Sequence, residues 1–237
     1  MDLKETEILG DDISDHWYYN SKAKAVKKFL SKTPANRILD VGAGSGFFSK
    51  YLLKNTAAKE AWCIDISYEH ETDETYAEKP IFLRKTVDSI DAELVMLMDV
   101  LEHVDDDIGL LKEYVEKVPK GTQFLITVPA FQFLWSGHDD FLEHKRRYTL
   151  QQLEVVVSAC GLDLKKSAYF FGCVFPIAAA LRLADRHKSK DRARKSQLTQ
   201  HSHLINSIMK GICTIELSFM AFNRIAGLSV FCVAQKR

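Results

Sequence analysis

The chain has 237 residues and a mass of 27.0 kDa, room for one α/β domain with a substantial core and too little for two. Apolar residues make up 46% and charged residues 27%, which excludes a disordered or fibrous chain. Thirty-two Lys and Arg balance thirty-two Asp and Glu, so the whole-molecule positive field of a general nucleic-acid binder is missing and any basic surface must be local.

The first residues, MDLKETEILGDD, are acidic and lack the basic start and apolar core of a secretory signal. A cytoplasmic protein is therefore expected. Cys63, Cys160, Cys173, Cys213 and Cys232 are scattered, with no CxxC pair, so neither a disulfide framework nor a zinc site is expected.

Seven β-rich runs alternate with helical patterns: Arg37–Val41, Ala61–Ile66, Ile81–Lys85, Leu94–Met98, Gln123–Val128, Leu164–Phe170 and Leu228–Ala234. Between the first five, helical segments include Ser49–Lys54 and Ile108–Val118, the latter stopped by Pro119 and Gly121. This alternation predicts a parallel sheet wrapped by helices. The tract from Pro176 to Ala226 is far longer than a normal crossover and reads as a helical insertion, 171–226, between strands six and seven. The uncharged stretch Ser167 to Leu181 has 15 residues, short of the roughly 20 a membrane-spanning helix needs.

Ile38-Leu39-Asp40-Val41-Gly42-Ala43-Gly44-Ser45-Gly46 carries an apolar strand into three glycines spaced by two, then into a helical run. Such a turn lets the backbone bend sharply and approach a ligand where side chains would block it. A tight strand-to-helix turn without ligand has the same appearance. A dinucleotide site prefers a third glycine or alanine where Phe47 stands, and a P-loop needs Gly-Lys-Ser/Thr. Asp40 repels anions and suits a cationic ligand.

Asp65 lies nineteen residues after Gly46, near the offset at which an acid reaches a ribose diol, although a helix cap would also explain it. The fourth strand breaks into Asp99-Val100-Leu101-Glu102-His103-Val104, which places Asp99 at the ligand crevice along the strands' carboxyl ends. Asp105–Asp107 read as the cap of the next helix and not as metal ligands.

DVGAGSG, CIDIS and DVLEHV together resemble the class I S-adenosylmethionine-dependent methyltransferases, most closely over Ile38 to Ala130. The resemblance implies an α/β Rossmann-like sheet of seven strands, order 3-2-1-4-5-7-6 with the last strand antiparallel, in one domain spanning 1–237. It further implies that S-adenosyl-L-methionine is bound by Asp40, Gly42, Gly44, Gly46, Asp65, Ile66 and Asp99, with S-adenosyl-L-homocysteine as product and no metal. Asp88 would contact adenine, although Thr86 or Val87 can fill that place.

The later run Thr127-Val128-Pro129-Ala130-Phe131 … Leu134-Trp135-Ser136-Gly137-His138-Asp139-Asp140 … His144-Lys145-Arg146-Arg147-Tyr148-Thr149 resembles a bacterial branch often associated with lipid-linked glycan or polyketide-like pathways, with an enzyme of aryl polyene lipid synthesis as one identity the resemblance offers. That branch also has an aromatic N-terminal helix, here His16-Trp17-Tyr18-Tyr19 within a lid at residues 1–30. Tyr18 and Tyr19 would close over the cofactor, and Phe131, Trp135, Arg146, Arg147 and Tyr148 would shape the acceptor pocket.

Methyl transfer asks for positioning, plus a base when the acceptor is a hydroxyl. His138 and His144 are the candidates, and a histidine hydrogen-bonded to Asp139 or Asp140 is their structural alternative. Arg146 and Arg147 either recognise an anionic acceptor or tie the loop to carboxylates. Arg182, Arg186, Lys188, Lys190, Arg192, Arg194 and Lys195 concentrate positive charge beside an apolar segment expected as a helix over Leu204–Ile225. That combination suits an anionic bilayer surface; a solvated linker or a dimer contact has the same composition. The function expected is oxygen methylation of a hydrophobic, membrane-presented or carrier-bound acceptor by a protein peripheral to the inner face of the membrane. An NAD(P) oxidoreductase and a non-catalytic cofactor-binding module are the alternatives.

Overall fold

A computed structural model describes residues 13–30, 35–186 and 202–237. The central sheet alternates side chains between two apolar layers, as strand geometry requires. In β1 (Arg37–Val41), Ile38 enters one layer and Leu39 the other. In β5 (Leu94–Met98), Leu94, Met96 and Met98 face the first while Val95 and Leu97 face the second. Both faces are buried, and the strands accordingly read as continuous apolar runs.

The remaining strands are β2 (Glu60–Ile64), β3 (Thr72–Tyr76), β4 (Lys79–Arg84), β6 (Gln123–Pro129), β7 (Leu162–Phe170) and β8 (Ser229–Lys236). They form one eight-stranded sheet in the order β3-β4-β2-β1-β5-β6-β8-β7. Without β3 this is the expected 3-2-1-4-5-7-6 order, and β8 runs antiparallel to both β6 and β7. The expected count of seven is corrected to eight, because β3 pairs antiparallel with β4 at the sheet edge.

The first described helix, α1 (Trp17–Phe29), buries Tyr19, Ala23, Ala25, Val26 and Phe29 against the first layer, and Lys22 is buried with them. The glycine turn starts α2 (Phe47–Asn55). Asp106 caps α3 (Asp107–Glu116) by accepting from the Gly109 amide at 2.8 Å, the role read from its sequence. The short α4 (Gly137–Phe141) opens on a Ser136/Asp139 capping box, and α5 (Leu150–Ala159) on a Thr149/Gln152 one.

The insertion holds α6 (Phe175–Arg186) and α7 (His203–Leu217). The helix expected over Leu204–Ile225 ends at Leu217, and a separate single turn follows at Met220–Phe222. Lys188, Lys190, Arg192, Arg194 and Lys195 lie outside the described residues, as does the side chain of Arg186.

Candidate functional site

The strand order reverses at β1, where β2 leaves on one side and β5 on the other. This switch point opens a crevice at the strands' carboxyl ends. A cavity of about 470 Å³ sits there, and its wall includes Asp40, Gly42, Ala43, Met98 and Asp99. Gly42, Gly44 and Gly46 have φ of 66°, 55° and 69°, a backbone region that favours glycine. At Gly42 a Cβ would also stand 2.8 Å from Val100 Cγ2, so residue type and turn determine each other.

Asp40 is buried and accepts a hydrogen bond from Ser49 Oγ at 2.7 Å. Asp65, directly after β2, accepts from the Gly44 amide (2.9 Å), the Ser67 amide (2.9 Å) and Ser67 Oγ (2.6 Å). Burial pushes its pKa up, but these bonds prevail and hold it below the ordinary carboxylate value. Asp65 thus braces the glycine turn from the β2 side.

Asp99 follows β5 with φ 56°, a conformation costing a non-glycine residue about 1–3 kcal/mol. Its carboxylate pairs with the fully buried Lys22 of α1 and accepts from Thr127 Oγ1 at 3.1 Å. Burial opposes the charge on Lys22, yet Asp99 and Tyr18 outweigh it and hold the ammonium above its usual range. Glu102, in the single turn Leu101–His103, is fully buried on the cavity wall, and neither carboxyl oxygen has a hydrogen-bond partner among the described residues. Burial, then the Asp99 charge, raises its pKa well above the ordinary value.

The loop after β6 converges on Asp139. Its Oδ1 meets His144 Nδ1 at 2.8 Å and accepts from Arg147 Nε at 2.6 Å. Its Oδ2 accepts from the Ser136 amide (2.8 Å), Ser136 Oγ (3.2 Å) and Arg147 Nη2 (3.0 Å). Burial works against ionisation, but His144 and Arg147 hold the Asp139 carboxyl well below the usual range. An ionised Asp139 accepts the Nδ1 proton, which leaves Nε2 as the reactive nitrogen of His144. That Nε2 is buried without a hydrogen-bond partner among the described residues, and His144 lines the cavity. His138 also lines it, but burial pushes its imidazole down to about 4 despite the Asp139 carboxylate.

The structure gathers Tyr18, Tyr19, Asp40, Gly42, Asp99, His138, His144 and Arg147 on one cavity. Gly44 and Gly46 complete the turn. Ile66 is 87% exposed and Asp88 is exposed; with Asp65 they stand outside the cavity wall. Phe131, also outside that wall, stacks on Tyr169 with centroids 5.0 Å apart. Trp135 Nε1 donates to Asp140 at 3.0 Å, and the Tyr148 hydroxyl donates to Asp107 at 2.7 Å.

Arg146 donates to the carbonyls of Val104 (3.1 Å) and Asp105 (2.7 Å), while Arg147 is spent on Asp139 and the Ala130 carbonyl. Both arginines therefore tie the loop. Arg182 begins the basic tract in sequence, but it lines the cavity and donates to the Leu134 carbonyl at 2.9 Å. Burial, then Arg147, lowers its pKa to about 10. Lys22, Glu102 and Arg182 join the site without a mark in the sequence that assigns them to it, although Glu102 belongs to DVLEHV.

The methyltransferase domain family matches residues 14–167, more than half of the chain. The chain belongs to that family. Among solved structures, phosphoethanolamine N-methyltransferase 2 of Haemonchus contortus, determined with S-adenosyl-L-methionine, is 14% identical with a TM-score of 0.57. The alignment covers 98% of this chain and 55% of that enzyme, so this methyltransferase spans about half its relative's length. A SAM-dependent methyltransferase of Archaeoglobus fulgidus is 17% identical with a TM-score of 0.52, covering 99% of this chain and 98% of the other. The [4+2]-cyclase SpnF is 14% identical with a TM-score of 0.55, covering 92% and 81%. These likenesses establish the shared fold. No curated protein matches the chain.

Proposed function

We propose that this methyltransferase moves the methyl group of S-adenosyl-L-methionine to an oxygen of a hydrophobic acceptor. The observation that carries the reading is one cavity wall holding both the Asp40–Gly42 turn and His144, with Asp139 fixing the imidazole. The residues fit the donor: the turn admits backbone contact, and Asp40 offers negative charge to a sulfonium. When bound, the donor supplies an electrophilic methyl for in-line displacement.

This chain's groups do the rest. Asp40, Gly42, Gly44, Gly46 and Asp99 hold the donor, and Asp65 keeps the turn in shape. Tyr18 stacks on Phe171 with centroids 5.0 Å apart and closes the cavity from α1. His144 Nε2 takes the acceptor's hydroxyl proton, and Asp139 stabilises the resulting imidazolium. His138, with its imidazole lowered to about 4, is neutral and weakly basic near pH 7, so it serves as a wall.

The acceptor is apolar in this reading. Leu181 and Ala178 of α6 line the cavity, while Ile177 on the same helix is 67% exposed. In α7, Leu204, Ile205, Ile208, Ile212 and Ile215 are exposed at helical spacing. No described helix is long and apolar enough to cross a membrane. Shallow seating of these stripes in an anionic bilayer would bring a lipid-type acceptor, such as a polyketide or lipid-linked intermediate, to the cavity mouth.

The test is incubation with donor labelled in its methyl group and a bacterial lipid extract, followed by mass spectrometry. A labelled lipid-soluble product that disappears with His144→Ala is expected. No labelled product from any lipid fraction contradicts the reading.

A further inference from the structure

At the wall of the same cavity, Glu102 and His144 belong to a cluster that general-base chemistry alone leaves unexplained. A carboxyl group and two imidazoles converge: one Glu102 oxygen and a ring nitrogen each of His103 and His144 lie within 4.8 Å of one another. We propose that Glu102, His103 and His144 bind a divalent transition-metal ion that faces the acceptor.

Three features support this. Glu102 is 0% exposed, yet both of its oxygens lack a hydrogen-bond partner among the described residues. Buried polar groups are almost always partnered, and a carboxylate needs a cation or donors to be retained in an apolar wall. Second, His144 is arranged as a metal-bound imidazole is: Nδ1 sits on the Asp139 carboxylate and Nε2 has no hydrogen-bond partner among the described residues. A carboxylate behind a histidine fixes its tautomer and raises its basicity as a ligand. Third, the His103 and His144 rings meet edge to face with centroids 4.8 Å apart, so one ion can reach both.

Two imidazoles and a carboxylate suit zinc, iron, cobalt or nickel better than magnesium, which prefers oxygen ligands. Bonds of about 2.1 Å in a tetrahedral site put ligand atoms roughly 3.4 Å apart, so the cluster would close slightly on the ion. Three protein ligands leave positions open toward the cavity, whose wall Glu102 and His144 line. The ion's role rests on the methyl-transfer reading and replaces its histidine base: a hydroxyl that reached the ion would become more acidic and would release its proton to solvent. Its oxygen then takes the methyl as the carbon–sulfur bond breaks, and the sulfonium leaves as a neutral thioether. His144 is then a ligand, and the base role passes to solvent.

The 237-residue chain, stripped with EDTA and freed of chelator, is titrated with Co²⁺ by visible absorption and with Zn²⁺ by calorimetry. One ion per chain is expected, with at least a tenfold loss of Co²⁺ affinity in both Glu102→Gln and His103→Gln, each checked for folding by circular dichroism. S-adenosyl-L-homocysteine is titrated in parallel, and Asp40→Asn should weaken that binding while keeping Co²⁺. No ion bound by the parent chain, or undiminished binding in folded Glu102→Gln, overturns the metal site. Ion binding that depends on Glu102 in a chain that takes no S-adenosyl-L-homocysteine supports the metal site and overturns methyl transfer.

Discussion

Asp139 organises the loop after β6, because one ionised carboxylate accepts from His144, Arg147 and Ser136 at once. Asp139→Asn removes the charge opposite a buried Arg147, and stranding one partner of a buried pair costs about 3–5 kcal/mol. Urea unfolding should show a loss of that order, with His144→Asn losing much less. His138 makes a pH-dependent contribution of its own. Its folded pKa of about 4 lies below the unfolded value, so the unfolded chain binds more protons between them. The contribution is complete above about pH 6.5 and is lost as the pH falls through about 4, at most roughly 3 kcal/mol. Thermal melts from pH 7 to 4 should fall less steeply in His138→Asn than in the parent.

Among the elements, the glycine turn carries the tightest geometric demand. Gly42→Ala must hold φ 66° and place a Cβ 2.8 Å from Val100 Cγ2. A stability loss of about 1–3 kcal/mol is expected, with at least tenfold weaker binding of S-adenosyl-L-homocysteine by calorimetry. This turn was legible in sequence because glycine spacing is a local property. The β3–β4 hairpin was not. Its first strand, TDETY, is polar and largely exposed, so no apolar alternation marks it. Its turn residues, Ala77 and Glu78, have φ of 51° and 63°, where such a hairpin ordinarily shows Asn-Gly or Asp-Gly. Strand ends shifted by a residue or two for a simpler reason: β2 reads as apolar through Ile66, but pairing with β1 stops at Ile64.

For the whole molecule, what sequence could not show is which distant residues meet. Lys22 in α1 reaches Asp99 after β5, and Glu102 packs beside the loop carrying His144, because the sheet brings those strand ends to one edge. A lysine in a helix of mixed polarity carries no mark of full burial. The arginines of the RRYT run look like surface charge until Asp139 and the Val104 carbonyl appear opposite them. The exposed isoleucines of α7 belong at this scale too. Ile208→Ser with Ile212→Ser should reduce flotation with anionic vesicles several-fold without lowering thermal stability, and equal flotation would remove α7 from membrane contact.

The central claim is that the Asp40–Gly46 turn receives the methyl donor. Isothermal titration of the parent chain with S-adenosyl-L-homocysteine tests it most directly. One site per chain with micromolar affinity, greatly weakened by Gly42→Ala, is predicted; no binding heat from the folded parent at saturating ligand would contradict it.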